Sequence, residues 1–83
     1  MEISVSNNNF IVVSSSGTLT IPIDAIEKFT AKTAYETVVV FYRQGKTNRY
    51  VELKVSEITN PVFADFNALV TWCSTNLVEV FDY

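Results

Sequence analysis

From Glu36 to Val55 the chain reads Glu-Thr-Val-Val-Val-Phe-Tyr-Arg, then Gln-Gly-Lys-Thr-Asn, then Arg-Tyr-Val-Glu-Leu-Lys-Val. Two β-rich runs around a Gly- and Asn-bearing loop are the signature of a hairpin. The second run alternates, with Val51, Leu53 and Val55 on one face and Tyr50, Glu52 and Lys54 on the other, because strand side chains have period two. The first run does not. Val39 and Phe41 share a face, but Val38, Val40 and Tyr42 are as apolar on the opposite one. A strand of that kind needs cover on both sides, so it belongs in the middle of the fold.

The rest of the chain reads as what pairs with this hairpin or packs on it. Strands are expected at Glu2–Ser6, Phe10–Ser14 and Thr18–Ile23, separated by Asn7-Asn8-Asn9 and Ser15-Ser16-Gly17 turns. Pro22 has no N–H for a ladder, so the third strand lies at an edge or ends there. Ile23–Ile26 reads as a bend or a single helical turn. Glu27 to Thr33 reads as a strand, with a short helix from Asp24 to Lys32 fitting almost as well.

Near the C-terminus, Asn60-Pro61 is a helix-start signal. The spacing predicts a helix over Pro61–Asn76, with Asn60 as its N-cap. At 100° per residue, Val62, Phe63, Phe66, Leu69, Val70, Cys73 and Leu77 gather on one side. The fold class expected is α+β: one antiparallel sheet of five or six strands, with room to curl, covered on one face by this helix. At 83 residues the chain makes a single domain, 1–83.

Two features strain a closed monomer. Trp72 falls on the helix side opposite the apolar arc, beside Asp65 and Ala68. An outward Trp is either a contact anchor, where this residue type is enriched, or an indole folded over the helix edge onto its own chain. The tail Leu77–Tyr83 is apolar on both alternations, and Val80, Phe81 and Tyr83 are its candidate contact residues. It is expected to return as a last strand of the chain's own sheet, or else to add to the sheet of a neighbouring copy.

Composition narrows the function. The chain has no histidine, a single cysteine and two glycines. That removes Ser-His-Asp and Cys-His catalysis, clustered zinc ligands and phosphate-cradling glycine loops. Cys73 lies in the predicted core arc and reads as a small buried hydrophobe. Asp24/Glu27 and Glu79/Asp82 are the carboxylate pairs, and they read as a solvated turn and tail. No enzyme activity, cofactor or metal is expected. There is no apolar run long enough to span a membrane and no basic, apolar leader.

Ser, Thr and Asn number 23 against 15 charged residues, a surface suited to packing against other proteins. Net charge is −3, which disfavours simple electrostatic attraction to nucleic acid. All six basic residues lie between Lys28 and Lys54, and against Glu36 and Glu52 they leave that span +4. Tyr42, Arg43, Lys46, Arg49 and Tyr50 form a candidate basic-aromatic patch at the hairpin end, of the kind that stacks single-stranded bases. Tyr42 and Tyr50 pairing across the strands explains it equally well.

Thr20-Ile21-Pro22-Ile23-Asp24-Ala25-Ile26, Val38-Val39-Val40-Phe41-Tyr42-Arg43 and Glu57-Ile58-Thr59-Asn60-Pro61 together resemble segments of the small accessory virion proteins of tailed bacteriophages. The element order, strands and then one C-terminal helix, is similar to pleckstrin-homology-like domains. The phage resemblance implies a non-enzymatic part that decorates or joins a larger assembly, made in the cytoplasm and carried into a virion. The leading functional expectation is a structural or assembly protein that self-associates or docks on a larger particle. A small intracellular binding module or inhibitor of a host protein comes second, and nucleic-acid binding through the hairpin end third.

Overall fold

The computed structural model describes residues 1–77 and the backbone of residues 80–82. The alternating segments become strands β1 (Glu2–Ser6), β2 (Asn9–Ser14), β3 (Gly17–Pro22), β4 (Ile26–Lys32), β5 (Thr37–Gln44) and β6 (Thr47–Lys54). One helix, α1 (Phe66–Asn76), and a short strand, β7 (Val80–Asp82), complete the order. The class is α+β, but the expected single sheet is two. β1-β2-β3 form an antiparallel three-stranded sheet, and a second sheet has the order β6-β5-β4-β7. The division falls at Pro22. It cannot extend a ladder, and a 3-10 turn over Ile23–Ala25 redirects the chain into the second sheet.

Tight turns set the registers. Asn7 and Asn8 both have positive φ, +52° and +63°, as a type I′ turn requires, and they close the Ser6–Asn9 pair. In the central hairpin Gly45 is left-handed at φ +64°, and Gln44 pairs with Thr47. The expected five-residue loop is therefore a two-residue turn, Gly45-Lys46, and both strands run further than their sequence suggested.

The two sheets turn their apolar faces to a shared core. Ile3, Phe10, Val12 and Ile21 come from the three-stranded sheet. Ile26, Phe29, Ala31, Val38, Val40, Tyr42 and Leu53 come from the four-stranded one. Helix α1 adds Phe66, Leu69 and Cys73, with Leu77 at its C-cap, and lies nearest β5 and β7. Full burial of each large side chain contributes roughly 1.5–3 kcal/mol. β5 has Val38, Val39 and Val40 all buried, so the central strand is covered on both sides. Val39, on the outer face, lies outside the shared core.

The helix begins five residues later than Asn60-Pro61 predicts. Residues 59 and 60 are used as strand-edge cover instead. The Ile3 N–H donates to the Asn60 carbonyl at 2.9 Å, and the Thr59 N–H donates to the Met1 carbonyl at 2.7 Å. Backbone held extended along β1 cannot also open a helix. The cap passes to Asp65, whose Oδ1 accepts the Ala68 N–H at 2.9 Å. Val62, expected in the apolar arc, is instead 84% exposed. Among the described residues, no helix is long and apolar enough to cross a membrane.

Candidate interaction surface

Strand pairing builds this surface in rows across the outer side of the four-stranded sheet. Lys28, Phe41 and Tyr50 are cross-strand partners on β4, β5 and β6. The next row is Thr30, Val39 and Glu52, and the next Lys32, Thr37 and Lys54. Arg43 and Asn48 stand at the hairpin end. Four basic side chains against the carboxylate of Glu52 leave this face at +3. The Lys28 Nζ sits 5.2 Å from the Phe41 ring centroid, and Phe41 and Tyr50 pack tilted at 6.3 Å. A cation held over a ring in this way is worth about 0.5–1 kcal/mol at an exposed site. Tyr50 is 62% exposed and Tyr35, in the β4–β5 connection, 71%. A hollow of about 410 Å³ lies among Lys32, Thr33, Ala34, Tyr35 and Phe41.

The predicted basic-aromatic patch is divided by this geometry. Tyr42 is buried in the core on the inner face, opposite Arg49, so it offers no ring to a ligand. Tyr50 projects from the other face, opposite Phe41 rather than Tyr42. Arg43, Lys46 and Arg49 are exposed, but Arg43 and Arg49 occupy different faces of the hairpin. Sequence reasoning missed Lys28 and Phe41 as members of the outer row. The signal was present in the outward alternation of Lys28, Thr30 and Lys32, but it needed the β4–β5 register.

Of the two readings open for Trp72, the second is the one found. Its indole is half-buried and packs on its own chain, 6.0 Å from Phe10 and edge-on to Phe63 at 6.3 Å. Phe63 lies in the non-helical 61–65 segment and gives the indole a partner that a longer helix would have carried elsewhere. Asp65 is the helix cap, and Ala68 is half-buried beside it. The tail returns to the chain's own sheet: β7 runs parallel to β4, with Val80 beside Phe29 and Phe81 beside Thr30. The side chains of Val80 and Phe81, and all of Tyr83, lie outside the described residues.

The inventory of reactive groups is short. Among the described residues no three of His, Cys, Asp and Glu stand together as a metal-binding group. Cys73 is fully buried, and desolvation pushes its thiol up to about 12, from 9.0. It stays protonated at neutral pH, which argues against a nucleophilic role. The chain matches no family model, no curated protein and no solved structure.

Proposed function

We propose that this domain is a non-enzymatic docking module that holds another protein on the outer face of its four-stranded sheet. The observation that carries the reading is the row Lys28–Phe41–Tyr50, with Lys32, Lys54 and Arg43 around it, on a face that helix α1 does not cover. Aromatic groups ringed by basic ones on a rigid sheet suit a partner of opposite charge. Docking on a larger particle is also the role implied by the likeness to virion accessory proteins. Two supports for self-association have fallen away, since Trp72 packs inward and the tail pairs with β4. Base stacking is less well served, because one face of Phe41 already carries Lys28.

Light scattering behind size exclusion, over a range of concentrations, tests this reading. A mass of 9.4 kDa throughout is expected. Trp72→Ala should leave that mass unchanged and lower stability by about 2 kcal/mol, less than the full cost of truncating a buried aromatic. A defined oligomer that Trp72→Ala dissolves, with the fold intact, contradicts the reading and makes self-association the function.

A further inference from the structure

Each sheet has two edges, and they are treated differently. β1 is covered by residues 59 and 60. In the four-stranded sheet β4 is interior, and the three-residue β7 is the edge beside it. β3 and β6 end their sheets with no further strand, and among the described residues no strand but β5 bonds to the backbone of β6. These two open strands flank a hollow of about 250 Å³, lined by Leu19 of β3, Val51 of β6, Val12 and Met1 together with Ser14, Ser16, Gly17 and Thr18. Leu19, Val51 and Met1 are partly buried there, packed against the margin of the core. The hollow lies between an eight-residue edge strand and the facing sheet. An open edge of that length is a template for another chain.

We propose that β6 accepts an extended, acidic segment of another protein as an added strand. Alternate apolar side chains of that segment fill the hollow over Leu19 and Val51, and its carboxylates lie on the outer side beside Lys54 and Arg43. The inference rests on the docking reading and gives its partner a chemistry. The hairpin fixes which groups are free. The Gln44–Thr47 pair closes the two-residue turn, and the Val55 N–H donates to the Glu36 carbonyl. Bonded pairs alternate along an antiparallel ladder, so the intervening residues Asn48, Tyr50, Glu52 and Lys54 turn their N–H and C=O groups outward. Main-chain bonds to these supply affinity, and the flanking side chains supply choice. Arg43 and Lys54 against Glu52 leave the outer side of the hairpin at +1. Two copies pairing edge to edge would set like charges together, which argues for an acidic partner rather than a second copy.

The test is fluorescence anisotropy with a labelled peptide alternating glutamate with valine, on the full chain. Binding is expected, and the same peptide with lysine for glutamate should not bind. Methylating every second amide nitrogen on the ladder-facing side should abolish binding. Arg43→Glu with Lys54→Glu should weaken it roughly tenfold or more and admit the lysine peptide. Arg43→Gln with Lys54→Gln should fall between, with circular dichroism confirming that each variant folds. Binding that survives methylation of both sets of amides, each tested in turn, overturns strand addition in favour of charge adsorption. Displacement of the peptide by oligothymidylate makes this a nucleic-acid surface and overturns the proposal. Binding of a peptide of residues 77–83 in its place, with growth to a multiple of 9.4 kDa, makes a second copy the occupant. Failure of every peptide, with the protein still monomeric, removes the strand-addition proposal and leaves the docking reading standing on the outer face.

Discussion

Phe10→Ala should cost about 3–5 kcal/mol, the usual loss for a fully buried aromatic. Phe10 is 0% exposed on β2 and touches Trp72 of α1, so it joins the three-stranded sheet to the helix. Its removal opens a cavity where both sheets and the helix meet. Small domains have only about 5–15 kcal/mol in hand, so a large part of the population should unfold at physiological temperature. Urea titration at fixed temperature measures the loss. A cost under about 1 kcal/mol, the scale of a surface substitution, would mean that the shared core does not hold the two sheets together.

Alkaline pH should destabilise the protein through Cys73. Burial raises its thiol from 9.0 to about 12 in the folded state. Between those values the unfolded chain gives up a proton that the folded one keeps. The folded state then binds more protons, so stability falls as pH rises. The contribution is intact below pH 9.0. The loss is about 2 kcal/mol near pH 10.5 and about 4 kcal/mol at pH 12, at roughly 1.4 kcal/mol per pH unit. The comparison is with Cys73→Ala, which lacks the thiol, so that other effects of alkali are common to both proteins. The variant should be the less stable at neutral pH and should close the gap as pH rises. Parallel pH profiles would contradict the assignment of Cys73 to a dry core.

Much of the fold could be read from alternation alone. Ile3, Phe10, Val12, Leu19 and Ile21 share the inner face that their spacing gives them, and Leu53 faces inward in the run that alternates most cleanly. The asparagine turn was legible because Asn tolerates left-handed backbone. The division into two sheets was not, since period two fixes which way a side chain points but not which strand lies beside it. The helix start misled because Asn60-Pro61 carries a strong local signal, while residues 59 and 60 are claimed by β1, more than fifty residues away in the chain. Which of its two readings Trp72 takes was illegible for the same reason. Its partners Phe10 and Phe63 lie outside the helix, and a helical wheel carries no information about them.

The candidate surface divides along the same line. Tyr42 shares its parity with Val38 and Val40, so its inward placement was already written in the sequence, and grouping it with Arg43 set that parity aside. The outer row and the hollow over Leu19 and Val51 each need residues from separate strands, and only the register and the stacking of the sheets bring those together.

Amide hydrogen exchange along β6 in the free protein tests the open edge most directly. The N–H groups of Arg49, Val51 and Leu53, bonded to β5, should exchange orders of magnitude more slowly than those of Asn48, Tyr50, Glu52 and Lys54, which point outward. Equal, strong protection of all seven would mean that the edge is already paired in the free protein, and that β6 has no place for another chain.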